Sequence, residues 1–268
     1  MRHHIVTQND PERGVSVSTL ARDYPPGSHV PTHAHGSHQL VYAGSGVMQV
    51  FSDRRFWLVP PQFGLWVPAR VEHEIRMPKA VSMRTLYMRP GLIAFGSCKA
   101  LHVRPLLREL VFEIVRVGRL RNGNRLECAL CDVLVAELNQ ARPVPTEAAM
   151  PADARAVRVA QTVVDSLEAA MTLPSLCASA GISVRILQRI FCREAGMDFE
   201  TWRRQVRLMK AVELLVSGSS VKEAAYAVGY QAPSPLVSLF KSTFGTTPRA
   251  WTASLTGPLS RQNNLSSR

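Results

Sequence analysis

Ala180-Gly181-Ile182-Ser183-Val184-Arg185-Ile186-Leu187-Gln188-Arg189-Ile190-Phe191 and Val228-Gly229-Tyr230-Gln231-Ala232-Pro233-Ser234-Pro235-Leu236-Val237-Ser238-Leu239-Phe240 are two versions of one segment. Each joins a short helix to a glycine turn, a second helix with a Phe near its end, and a closing glycine at Gly196 or Gly245. Gly181 and Gly229 stand 48 positions apart, and Phe191 and Phe240 stand 49 apart. A spacing so nearly constant points to two helix-turn-helix units in tandem. Gly181 supplies the positive φ that such a turn needs at little cost. Ser183 and Ser220 stand where a helix N-cap is expected, and Pro233 or Pro235 fits a first helical turn, where its missing N–H is harmless.

In a helix-turn-helix the exposed face of the second helix enters the major groove. With Ile186, Leu187, Ile190 and Phe191 turned inward, Arg185, Gln188 and Arg189 are left outward as base readers. Arg matches guanine O6/N7 and Gln matches adenine N6/N7. Arg193 is placed toward phosphate. In the second unit Ser234, Val237, Ser238 and Lys241 point outward, a face poorer in arginine. A helix over Asp198–Val216 joins the units and is long enough to set them about one DNA turn apart.

The rest of the chain fits a two-domain α+β protein. It has 268 residues and is 46% hydrophobic, enough for two cores and against wholesale disorder. Net charge is +12, with +6 in residues 1–150 and +6 in 151–268, so the basic excess permits nucleic acid without locating it. Five scattered cysteines do not form a disulfide framework, and Cys128-x-x-Cys131 reads as helix packing. No apolar run reaches a membrane span and no secretory h-region opens the chain, so the expectation is a cytoplasmic protein with no membrane partner.

Residues 15–90 read as short strands at Val15–Leu20, His38–Tyr42, Val47–Phe51, Arg55–Val59, Leu65–Val67 and Val81–Met88, punctuated by Pro and Gly, which suggests a β-barrel or sandwich. Gly27, His33-Ala34-His35, Gln39 and Gly46 are spaced like the first motif of the cupin family, and Pro68-Ala69-Arg70-Val71-Glu72-His73 is similar to the second. Gln39 stands where a cupin has Glu, and Arg70 where it has Gly. His-x-His puts two imidazoles on one face of a strand, and His73 adds a third from another strand. His33, His35 and His73 are therefore candidate ligands for a divalent metal and, with Tyr42, candidate effector contacts, with Phe63 and Trp66 nearby.

Pro105–Leu120 and Arg125–Gln140 carry amphipathic helical patterns around an Arg121-Asn122-Gly123-Asn124 turn. This hairpin is expected to pack on the barrel and to form a homodimer. A proline-rich linker over 141–152 follows. The expected organisation is a sensor over 1–100, the hairpin over 101–140, the linker, a DNA-binding domain over 153–255 opened by a helix from Asp153 to Ala170, and a disordered tail over 256–268.

Gly229-Tyr230-x3-Ser234-x5-Phe240-Lys241-x3-Gly245-x-Thr247-Pro248-x2-Trp251 resembles the signature of AraC-type transcriptional regulators. The resemblance implies promoter DNA, a small-molecule effector held by a cupin-like sensor, and RNA polymerase as a contact in activation. A cupin metalloenzyme, oxygenase or isomerase, with an appended DNA-binding module is the alternative. Gln39 in place of Glu weighs against it.

Overall fold

The computed structural model describes residues 8–144, 146–165 and 172–255. It divides between Glu147 and Ala148 into two compact units.

The first unit is built from strands β1 (Val15–Tyr24), β2 (Ser28–His33), β3 (His38–Ser45), β4 (Met48–Ser52), β5 (Arg55–Val59), β6 (Phe63–Val67), β7 (His73–Met77), β8 (Val81–Met88), β9 (Lys99–His102) and β10 (Arg119–Arg121), with helices α1 (Pro105–Val117) and α2 (Arg125–Gln140), and β11 (Glu147–Ala149) straddles the boundary. The strands form two antiparallel sheets, ordered β10-β1-β8-β3-β6-β9 and β11-β5-β4-β7-β2. Among the described residues they face each other as a sandwich and do not close into one hydrogen-bonded barrel.

Side-chain alternation divides the two cores. Val41, Ala43, Val50, Trp57, Leu65, Ile75 and Met83 meet between the sheets. Leu40, Tyr42, Trp66, Leu86 and Met88 point the other way, onto Leu107, Val111 and Ile114 of α1 and Leu134 and Leu138 of α2. Each such side chain contributes about 1.5–3 kcal/mol by leaving water. Because β3 is buried on both faces, its sequence is a continuous apolar run from Leu40 to Ala43.

Gly46 makes the β3–β4 turn possible. Its φ is 78°, and a Cβ there would meet Ala80 O at 2.2 Å. α1 stops at Val117, short of the expected Leu120. Gly118 turns the chain with φ 86°, and Leu120 enters β10, which pairs with β1. Asn124 then caps α2 by accepting from the backbone N–H groups of Leu126 and Glu127.

The stretch expected to be a linker is held at both ends. In the first unit His102 N donates to Arg142 O (2.9 Å), Val144 N to Ala100 O (3.0 Å) and Leu58 N to Thr146 O (3.0 Å). In the second, Trp202 Nε1 donates to Ala149 O at 2.7 Å and Ala152 N to Glu194 Oε2 at 2.7 Å.

The second unit is helical: α3 (Ala154–Asp165), α4 (Leu173–Ser179), α5 (Val184–Glu194), α6 (Phe199–Val216), α7 (Val221–Ala227), α8 (Pro233–Phe244) and α9 (Pro248–Leu255). The expected continuation of α3 to Ala170 and the tail over 256–268 lie outside the described residues. The caps at Ser183 and Ser220 are those the sequence suggests, and Asp198 adds another. Ser183 accepts from Ile186 N, Asp198 from Thr201 N, and Ser220 forms a reciprocal capping box with Glu223. Gly181 and Gly229 take φ of 65° and 83° at the two turns. Each repeat has its own aromatic core. Phe191 lies 5.1 Å from both Phe199 and Trp202, and Phe240 lies 5.5 Å from Trp251.

Candidate functional site

On α5 the inward face is Leu187, Ile190 and Phe191, all buried. Arg185 and Arg189 are exposed on the other side, one helical turn apart, and enter no ion pair among the described residues. Two such guanidiniums with open donors suit a nucleic-acid groove. Arg193 is exposed as well, but it donates to Glu194 at 2.5 Å, so its charge is partly matched.

Gln188 departs from the sequence expectation. It is half-buried, and its Oε1 accepts from Phe199 N at 3.1 Å, eleven residues along, at the first turn of α6. That bond takes one of the two acceptor positions of Oε1 and ties α5 to the start of α6.

In the second repeat Ser234, Ser238 and Lys241 are exposed along α8 and Val237 is half-buried. Among the basic residues of α6, Lys210 pairs with Glu213 (2.9 Å) and Arg203 with Glu200 (3.2 Å), whereas Arg204 remains exposed. Arg207 lies over the Tyr230 ring at 5.8 Å. It is half-buried and links α6 to the second turn. Sequence reasoning missed this use of Tyr230.

The sensor unit brings the three candidate histidines together. His33 ends β2, His73 begins β7, and the two are register partners. His35 follows in the β2–β3 loop. Their ring centroids lie 4.8 Å (His33–His35), 4.3 Å (His33–His73) and 5.6 Å (His35–His73) apart, and all three residues are buried. One ligand atom from each lies within 4.8 Å of the others. Three nitrogens on one tetrahedral ion, at bonds of about 2.0–2.1 Å, stand roughly 3.4 Å apart, so modest side-chain adjustment brings the set onto a metal.

Local hydrogen bonds fix the tautomers. His33 Nδ1 faces Pro31 O at 2.8 Å and His73 Nδ1 faces Val71 O at 3.1 Å. A carbonyl only accepts, so each Nδ1 carries the proton and each Nε2 carries the lone pair. His73 Nε2 is buried with no hydrogen-bond partner among the described residues. Burial, with His33 and His35 alongside, pushes the His73 imidazole down to about 3, so it is neutral at pH 7. A neutral imidazole held through its other nitrogen is the form that binds metals.

Arg70 keeps the backbone of the glycine that it replaces. Its φ is 65°, and its N–H donates to His35 O at 2.7 Å, joining the two histidine loops. Gln39 is 2% exposed and lies across β3–β8 from Tyr87, whose ring is 4.8 Å from that of His35. His38, with no role legible in the sequence, accepts from Ala69 N through Nδ1 at 3.0 Å and packs on Trp66. Tyr42 is a correction. It faces the helices, 6.2 Å from Phe112, and burial there pushes its phenol up to about 12. Trp66 faces the same way, with Nε1 donating to Phe95 O at 3.3 Å. Neither lies among the histidines.

A β-sandwich with a buried polar cluster, followed by two capped helix-turn-helix units, defines a DNA-binding regulator that carries its own sensor domain. Residues 16–122 match the model of the AraC-like ligand binding domain, and residues 176–254 match a helix-turn-helix domain model. The chain is a transcriptional regulator of the AraC type, with an N-terminal ligand-binding domain. It is 26% identical over 227 residues to the HTH-type transcriptional regulator NimR of Escherichia coli (strain K12), spanning 84% of this chain and 83% of that one. It is 34% identical over 114 residues to RipA of Corynebacterium glutamicum, spanning 42% of this chain and 34% of RipA. The structure of ToxT from Vibrio cholerae O395 covers 90% of this chain and 99% of its own at 13% identity, with a TM-score of 0.39. Among the described residues no helix is long and apolar enough to cross a membrane.

Proposed function

We propose that the chain binds promoter DNA as a homodimer and, when its sensor takes up a small effector, activates transcription in the cytoplasm by contacting RNA polymerase. Arg185 and Arg189 read bases from α5. Arg193 contacts phosphate, and Ser234, Val237, Ser238 and Lys241 on α8 supply a weaker second contact. The observation that carries this reading is the pair of exposed, unmatched guanidiniums on a capped helix that follows a helix-turn-helix glycine. α6 spans about 27 Å at ~1.5 Å per residue over its 18 residues, close to the ~34 Å between successive major grooves. Selection of bound sequences from random DNA tests the reading. A defined motif is expected, and salt-sensitive binding without sequence preference would overturn it.

The partner in dimerisation is a second copy of the chain. α2 leaves Leu126 and Val133 exposed, one heptad apart, with the small Ala129 and Ala136 between and after them on the same side. Leu106 of α1 is exposed as well.

In the sensor, His33, His35 and His73 would hold a first-row divalent cation, since imidazole suits zinc, iron, copper or nickel. When bound, such an ion supplies a Lewis-acidic centre with open coordination positions. These histidines are also the effector contacts, with Gln39 replacing Tyr42 in that role. The relatives are transcriptional regulators, and we assign no catalysis to this site. Gln39 carries a neutral amide where a cupin carries a carboxylate, and an amide is the poorer metal ligand. Metal analysis of wild type against His33→Ala and His73→Ala tests the metal assignment.

A further inference from the structure

We infer that the sensor's effector is a small anionic hydroxycarboxylate, selected because the three-histidine site contains no negative charge of its own. The inference rests on the metal reading of His33, His35 and His73. These three form a ligand cluster that includes no carboxylate among the described residues. Position 39, beside them, is a neutral amide. A dication held by three neutral imidazoles keeps its full charge in a buried site, where an uncompensated charge is costly. Asp10, which binds the loop after His35, is not one of the cluster's ligands. Its oxygens accept from Gly36 N (2.9 Å) and Ser37 N (3.1 Å) and from the Ser37 hydroxyl, securing the loop after His35. A ligand that brings negative charge therefore compensates such an ion better than a neutral one does.

The polar groups around the cluster say more about that ligand. Gln39 Nε2 is turned toward Tyr87 Oη at 3.5 Å, and Gln39 Oε1 is buried without a hydrogen-bond partner. Asn9 Nδ2 also approaches Tyr87 Oη, at 3.5 Å. With two amides donating to it, the Tyr87 hydroxyl directs its own proton elsewhere. Thr85, two residues along β8 and on the same side as Tyr87, is fully buried with an unpartnered Oγ1. Buried polar atoms without partners are uncommon in folded proteins and mark where another molecule is accommodated. Gln39 Oε1 accepts and calls for an O–H or N–H on the ligand. The metal and the Tyr87 hydroxyl call for a carboxylate. A carboxylate with an adjacent hydroxyl answers both.

Cobalt(II) provides the probe, because its visible spectrum reports both its own binding and that of an added ligand. Full-length metal-stripped protein is titrated with cobalt(II), then with glycolate, acetate or imidazole. Wild type is expected to bind one cobalt and to bind glycolate at least about tenfold more tightly than acetate. Gln39→Glu is nearly isosteric and supplies the missing charge. It should hold cobalt at least as well and weaken glycolate by about tenfold or more, while neutral imidazole binding changes little. No cobalt binding in a folded wild type would overturn the metal reading and the inference with it. Cobalt binding with glycolate affinity unchanged in Gln39→Glu, or no preference for glycolate over acetate, would overturn the inference alone.

Discussion

Replacing Gln188 separates two roles that one residue on a recognition helix can play. Its Oε1 accepts from Phe199 N, one of the N–H groups at the start of α6 that have no intrahelical partner. In Gln188→Ala that donor loses its acceptor, and Asp198, already bonded to Thr201 N, covers only its own share of the helix end. A neutral hydrogen bond of this kind contributes about 0.5–1.5 kcal/mol, so we expect a loss of about 1 kcal/mol. For a domain of roughly 100 residues this lowers Tm by roughly 4–8 °C. Gln188→Glu should behave differently. The carboxylate keeps the acceptor and lies at the positive end of the α6 dipole, so stability should equal or exceed wild type by up to about 1 kcal/mol. Its charge should nonetheless weaken binding to every DNA sequence alike. Circular-dichroism melting, together with affinities for an operator and its single-base variants, measures all of this. If Gln188→Ala melts like wild type and loses discrimination at a single A·T pair, the positioning role is wrong and the base-reading role is restored.

Gly46→Ala should destabilise the sensor unit by about 2 kcal/mol or more, since it combines a left-handed φ with a Cβ 2.2 Å from Ala80 O; urea denaturation measures this. Val133→Glu on the exposed side of α2 should shift the protein from dimer to monomer in analytical ultracentrifugation with its Tm nearly unchanged, whereas a dimer that persists would remove α2 from the interface. The metal-stripped protein should lose stability in acid. Unfolded His73 takes up a proton below its ordinary pKa of 6.5, but the folded residue does so only near 3, so the unfolded state binds more protons throughout that window and stability falls as pH falls. Between pH 7 and pH 5 the loss from this residue is about 2 kcal/mol, and His73→Gln should flatten that part of the profile.

The helical half of the chain was legible because its determinants are local. Ser183 and Ser220 cap helices whose starts they mark, and Gly181 and Gly229 turn where the sequence places them. The sensor was less so. β2 and β7 went unread because Ser28–His33 contains Pro31 and four polar residues on a largely exposed strand, and His73–Met77 alternates with charged residues over only five positions. Yet these two strands deliver His33 and His73. Tyr42 was assigned to the histidine cluster because β3 is apolar on both faces, and a sequence with no visible alternation does not say which face meets which core. The bond between Gln188 and Phe199 was illegible for a different reason: Phe199 belongs to the next helix, and helical periodicity alone does not reveal a bond across a turn. The histidine spacing was informative because residues two apart on extended chain share a side. Even the departure at Arg70 preserved the glycine-like backbone that the motif requires.

The central claim is that one chain reads two adjacent major grooves, with Arg185 and Arg189 of α5 as the principal reader. Hydroxyl-radical footprinting of the full-length protein on a selected site, beside the Arg185→Ala/Arg189→Ala double variant, tests it most directly. The account predicts that wild type protects two segments about one helical turn apart per chain, and that the double variant loses the segment under α5 and its base preference while keeping weak protection under α8. Protection of a single groove by wild type, or an equal loss at both segments with base preference intact, would contradict it.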